Sequence, residues 1–191
     1  MQSRVDRQIR ALALAQQCAA HGARVRTISR ITGMNPRDLL RLLFPERQSV
    51  PRGRAPDSPE WYHGANLLYR AEASIVMSIY RRLRTADFSG GEALLGAYRQ
   101  YVGVCQPPHR ISFDRAFDLA AHTDGLWLTE SRSFSLVVCP ACHSEFLAAF
   151  GSVAVVVFEV WSLVASVGRG AGWPKPIRCA RIHPQQLEID R

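Results

Sequence analysis

The breaks in this chain constrain its fold more than its runs do. Over residues 1–125 the apolar residues recur at helical spacing, and glycines and prolines cut that pattern into short pieces at Gly22, Gly33, Pro45, Gly90-Gly91 and Pro107-Pro108. Residues 4–21 set Val5, Ile9, Leu12 and Ala19 on one stripe, interrupted by Gln16, which predicts an amphipathic helix stopped by Gly22. Further helices are expected over 24–32 and 36–44. Asn35 suits the cap of the latter, and Pro36 suits the first helical position, where no amide hydrogen is needed. Residues 46–59, with Pro51, Gly53, Pro56 and Pro59, read as a linker or surface arm. One long helix is expected from Trp61 to Arg84, with Leu67, Leu68, Ala71, Ile75, Ile79 and Leu83 apolar. Others are expected over 92–104, after a break at Gly90-Gly91, and over 113–122. Short connections and the absence of repeats make residues 1–125 one mainly α domain, and residues 126–191 a separate C-terminal region.

Within that domain, residues 26–43 have the pattern of a helix-turn-helix. Ile28 and Ile31 are apolar on the first helix, and Gly33 can take the positive φ of the turn, with Met34 packed beneath it. Leu39, Leu42 and Leu43 would anchor the second helix, although Thr32 occupies a position that is usually apolar. Arg37 and Arg41, four residues apart, share a face of that second helix. A helix presented this way is the element that enters a DNA major groove, so Arg26, Arg30, Arg37 and Arg41 are the candidate DNA-binding residues. A plain packing hairpin has the same spacing and remains the alternative.

Charge points the same way. The chain carries a net +8, and Lys175 is its only lysine. Residues 1–60 hold eleven arginines against Asp6, Asp38, Glu46, Asp57 and Glu60, which leaves only +2 for the rest. A genomic composition bias would explain arginine over lysine. An excess concentrated at one end fits a polyanion-binding surface better, because guanidinium forks grip phosphates and guanine edges with two prongs.

The five cysteines are Cys18, Cys105, Cys139, Cys142 and Cys179. An odd number, behind a charged start with no apolar segment following, suits a reducing cytoplasm. Cys139-Pro140-Ala141-Cys142 has the spacing of a zinc knuckle, which supplies two of the four ligands a structural zinc takes. Cys179 and His183 could complete a Cys₃His set, across a strongly apolar stretch; His143 would have to reach back around its own turn. The other histidines, His21, His63, His109 and His122, are scattered and read as surface or core residues. No Ser/His/Asp order, paired carboxylates near a histidine, phosphate loop or dinucleotide fingerprint is present, so an enzyme is not expected. Residues 146–167 have Glu159 as their only charge and are long enough to span a bilayer, but the central carboxylate and the valine cluster argue for a buried strand pair or core helix.

Several of these residues carry a resemblance. Gly22-Ala23-Arg24 opens the helix-turn-helix stretch, and a Pro-rich link from Val50-Pro51-Arg52-Gly53 to Pro59 leads to Trp61. Gly91, Ala97-Tyr98-Arg99, Tyr101, Cys105, Arg115-Ala116 and Cys139-Pro140-Ala141-Cys142 follow in order. Over roughly its first three quarters the chain resembles the FlhC family, the subunit of the bacterial flagellar master activator that works with FlhD. The resemblance implies a DNA-binding transcriptional activator of flagellar operons, in a hetero-oligomer with an FlhD-like subunit, on double-stranded promoter DNA and recruiting RNA polymerase. It also implies a packing surface for the partner, which the apolar stripe of residues 4–21 would suit as well as it would suit the chain's own core. The family's zinc is held by two Cys-x-x-Cys knuckles. Placed on Gly151-Ser152, the second pair would fall on Val155 and Phe158, which cannot bind metal. The expectation is therefore a degenerate zinc-ribbon-like C-terminal region, with zinc possible but its site incomplete and Cys139, Cys142 and Cys179 as ligands. The family's basic C-terminal region is reduced to Arg169, Lys175, Arg178, Arg181 and Arg191, as in a divergent or impaired paralogue. Competing readings are an interaction protein that titrates the partner without binding DNA, and a protein tethered to a membrane through residues 146–167.

Overall fold

Short polar side chains decide where the helices begin. In the computed structural model, which describes residues 3–46, 50, 51, 53, 58, 60–127, 132–139 and 143–150, helix α1 (Arg4–Ala20) opens on Ser3. The Ser3 hydroxyl accepts from the Asp6 amide, and the Asp6 carboxylate accepts from the Ser3 amide in return. Helix α2 (Val25–Thr32) ends at Gly33, and α3 (Pro36–Leu43) opens on Asn35, whose side-chain oxygen accepts from the Arg37 amide at 2.9 Å. After the short α4 (Glu60–His63), α5 (Leu67–Thr85) is capped by Asn66. Ser89 and Glu92 form a reciprocal cap for α6 (Gly90–Val104), and Ser112 caps α7 (Phe113–Asp124). Strands β1 (Phe134–Val138) and β2 (Glu145–Ala149) pair antiparallel, with Phe134 opposite Ala149 and Val138 opposite Glu145.

Helix α5 is the centre of the packing. It touches α6, α7 and both strands, while α6 receives α1 and α2 on another side. Tyr80, Tyr101, Phe113 and Phe134 are fully buried there with Met77, Leu94 and Leu119, so helices and hairpin share one core. The backbone of Leu147 is held from outside the sheet: its amide donates to Ser74 Oγ at 3.0 Å and its carbonyl accepts from Tyr62 Oη at 2.6 Å. Glu145 accepts from Ser78 Oγ at 2.6 Å and from the Arg81 guanidinium, which fastens the hairpin's other end to α5.

The mainly α class and most helix positions agree with the sequence pattern, and four expectations need correction. The single helix over 61–84 is two, because the chain turns at Gly64 and restarts on Asn66. The deep face of α5 holds Ala71, as expected, together with Ala73, Val76, Met77 and Tyr80, whereas Ile75, Ile79 and Leu83 are half-buried and Leu67 is exposed. Gly90 and Gly91 do not break the chain but form the first turn of α6, after the Ser89 cap. Val5 and Ile9 stand 63% and 61% exposed, because the first two turns of α1 run past the core. Residues 146–149 are strand, which over those residues agrees with the strand reading of the apolar stretch and not the helical one; the rest of it, 151–167, lies outside the described residues. Among the described residues no helix is long and apolar enough to cross a membrane.

Candidate nucleic-acid interface

The α2–α3 hairpin is built around one left-handed residue. Gly33 takes φ 71°, a conformation that strains any residue with a Cβ, and its amide closes α2 on Ser29 O at 2.8 Å. Thr32, in its unexpected position, supports the turn with its hydroxyl. Its Oγ1 donates to Ile28 O at 2.8 Å and accepts from the Met34 amide at 3.3 Å, while Ser29 Oγ donates to Met34 O at 2.7 Å. Ile28 and Leu39 lock the two helices from beneath, both fully buried. Leu43 and Met34 are half-buried beside them, but Leu42 is 58% exposed and Leu40 39%, so Leu42 does not anchor α3 as expected.

Three of the four arginines expected to meet DNA are exposed: Arg26 in the first turn of α2, and Arg37 and Arg41 along α3. Arg30 is half-buried in the last turn of α2. Arg30 and Arg41 thereby lie near helix C-termini, where a cation is favoured by the backbone dipole whatever else it does. Arg4, Arg7 and Arg10 of α1 are exposed as well.

Sequence reasoning missed what holds this unit to the rest of the chain. Helix α2 has no side-chain cap of its own at Arg24. Asp114 of α7, 2% exposed, supplies one from across the core. Its Oδ1 accepts from the Arg24 amide at 3.1 Å and from Thr27 Oγ1 at 2.5 Å, and its Oδ2 takes the Arg24 guanidinium. A signal was available, since Asp114, Asp118 and His122 recur four apart among apolar residues of one helix. Carboxylates on an apolar stripe are expected only where partners await them. Asp118, fully buried, accepts from Trp61 Nε1 at 2.9 Å, and His122 lies 3.7 Å from it and 3.3 Å from Ser133 Oγ. His122 is thus a core histidine.

On the seam between this unit and the core, His21 packs against the rings of Tyr98 and Phe113, with centroids 5.5 and 6.4 Å away. Burial, helped by the nearby Arg99 charge, lowers its pKa below 6.5. Burial pushes the Cys18 thiol up to about 12, so this cysteine is held as an uncharged core group.

Of the expected metal ligands, Cys139 sits directly after β1, and its side chain is buried. Its amide donates to Ser144 O and its carbonyl accepts from the His143 amide, both at 2.8 Å, and His143 turns the chain at φ 55°. Cys142, Cys179 and His183 lie outside the described residues. Among the described residues no three His, Cys, Asp or Glu side chains converge on a point that could hold a metal, so a tetrahedral zinc is not accounted for by them.

Known proteins place this arrangement in context. The chain is 29% identical to the flagellar transcriptional regulator FlhC of Cupriavidus metallidurans, in an alignment covering 75% of this chain and 66% of the relative. The chain thus matches just under two thirds of that protein's length. The family model described as flagellar transcriptional activator (FlhC) matches residues 1–156, which takes in the α2–α3 hairpin, its anchor on α7, and the β-hairpin with Cys139. The chain belongs to the FlhC family.

Proposed function

We propose that this chain is a cytoplasmic DNA-binding subunit of a transcriptional activator, acting on flagellar operons in a hetero-oligomer with an FlhD-like subunit and recruiting RNA polymerase to the promoters it occupies. The α2–Gly33–α3 hairpin supports the reading, because two short helices joined by a tight turn at Gly33 leave the second exposed with Arg37 and Arg41 on it. In this reading α3 enters the major groove and those two side chains reach base edges. Arg26 and Arg30 flank it, and the arginines of α1 neutralise phosphates. The exposed Val5 and Ile9 offer the partner an apolar strip beyond the chain's own core. Cys139 and Cys142, with Cys179, are the proposed zinc ligands of this copy, one short of a closed structural set.

The exposure of Leu40 and Leu42 favours a second reading, in which α3 packs on a protein and the chain titrates its partner without touching DNA. One experiment separates the two. The complex of the full chain with the FlhD-like subunit is used to select duplexes from random sequence, and the selected duplex is titrated at several salt concentrations. For a DNA-reading α3, affinity falls steeply with salt. The Arg37→Ala, Arg41→Ala double variant then binds less tightly by about 1–3 kcal/mol for each arginine that reads a guanine. Unchanged binding by the double variant, with its partner still attached, would remove α3 from the DNA interface.

A further inference from the structure

We propose that Asp114 is a positioning residue for DNA discrimination: from α7 it sets the angle at which the α2–α3 hairpin presents Arg37 and Arg41. The inference rests on the DNA-reading function proposed for that hairpin. The geometry behind it has three parts. First, among the described elements α3 packs chiefly against α2, with a smaller contact to α1, so what orients α2 largely orients α3. Second, α2 begins without a local cap, and the carboxylate that takes its place belongs to a helix 90 residues away in the chain. Third, that carboxylate grips three donors at once: the Arg24 amide, the Arg24 guanidinium and the Thr27 hydroxyl, one turn further along α2. Two points of attachment on one helix turn fix its rotation as well as its place. A local Ser or Asn cap would stabilise α2 equally well but would not tie its first turn to α7, since it would bond the helix only to itself.

The attachment is also placed to matter. At 2% exposure Asp114 is shielded from solvent competition, so its hydrogen bonds are not readily exchanged for water. At its far end α2 meets α6 where Gly91 leaves no room for a side chain: a Cβ there would stand 2.8 Å from Ile31 Cγ2 and 2.9 Å from Leu14 Cδ2. Helix α2 is thus held by hydrogen bonds at its start and by close packing at its end. Misplacing a reading helix by about 1 Å weakens base contacts far more than phosphate contacts, because long side chains on a charged backbone tolerate displacement and bidentate base pairs do not.

The test uses the full chain with its FlhD-like subunit and two duplexes: one selected from random sequence by the unmutated complex, and a scrambled duplex of the same composition. Asp114→Asn keeps the side chain's size but removes its charge and one acceptor. Thr27→Val keeps its shape but removes the donor. Both are measured well below their melting temperatures, with helix content and partner attachment checked. The expected result is that each lowers the preference for the selected duplex about tenfold while scrambled-duplex binding and its salt slope stay as they were. The double variant should be no worse than the poorer single one, because both break the same attachment. Discrimination unchanged in a folded Thr27→Val complex, or equal losses on both duplexes, would overturn the positioning role. Arg37→Ala in the same assay separates the two levels of inference. If it weakens selected-duplex binding and Thr27→Val does not, only the role of Asp114 fails. If Arg37→Ala changes nothing, the reading of α3 itself fails.

Discussion

The two halves of the helical region treat charge in opposite ways. In α1–α3 nearly every charged side chain faces water, and the interior is held by small or aliphatic groups such as Ala15, Cys18, Ile28 and Leu39. In α5–α7 three carboxylates are buried, Glu72, Asp114 and Asp118, and each is met by donors from a different element. Glu72 shows the pattern most fully. It accepts from the Arg110 amide at 2.8 Å, from the Arg110 guanidinium at 2.6 Å and from Tyr101 Oη. Apolar packing tolerates small shifts, whereas a buried carboxylate with fixed donors does not. The N-terminal unit is therefore suited to presenting a surface, and the central helices to being a frame that holds it.

That contrast can be broken most forcefully at Glu72. Glu72→Ala leaves Arg110 and Tyr101 without their buried acceptor, and we expect a loss of about 3–5 kcal/mol in urea unfolding. A loss under about 1 kcal/mol would mean that the central helices do not depend on their internal charges. The joint between the halves should be less sensitive. Gly91→Ala presses a methyl group against Ile31 and Leu14, which costs about 1–3 kcal/mol by overpacking. Alanine's better helix propensity offsets at most about 1 kcal/mol, and less in a first turn, so overpacking wins by roughly 1 kcal/mol and the melting temperature falls. A rise in melting temperature would show that α1 and α2 can shift on α6. The smallest effect should come from pH. The lowered pKa of His21 means that the unfolded chain binds its proton more readily than the folded one. Its contribution to stability is thus complete above pH 6.5 and is lost as pH falls from there through the folded-state value. Thermal melts between pH 7.5 and 5 should show this slope, and His21→Gln should flatten it; an unaltered slope would place the pH sensitivity elsewhere.

Sequence made the N-terminal unit largely legible and the frame much less so. Asn35, Pro36 and Gly33 announce their roles because caps, first-turn prolines and left-handed turns are local and depend on the residue alone. The α4–α5 break was hidden because Gly64 and Asn66 interrupt an apolar pattern that otherwise continues in phase. Leu42 looked like core because periodicity gives a stripe but not its width, and among the described elements α3 is covered chiefly by α2 and α1. Strand β1 went unread and β2 was expected only as one of two alternatives, although the knuckle spacing marked their turn, since short apolar runs do not distinguish strand from helix. The Asp114 anchor joins residues 90 positions apart, a pairing that one sequence does not encode in any local pattern.

The way Tyr62 and Ser74 hold Leu147 has a consequence for self-association. Among the described residues the sheet has two strands and hence two borders, and an open border is a template on which another chain's strand can add and continue. On the β2 border the outward amide and carbonyl of Leu147 are already occupied by a helix serine and a tyrosine, which stand where a third strand's backbone would bond. At that point the β2 border cannot take a further strand without giving up both bonds. A polymer built by stacking these hairpins edge to edge would have to break two helix-to-strand hydrogen bonds for every copy added, which sets a toll on fibrous growth while the fold is intact.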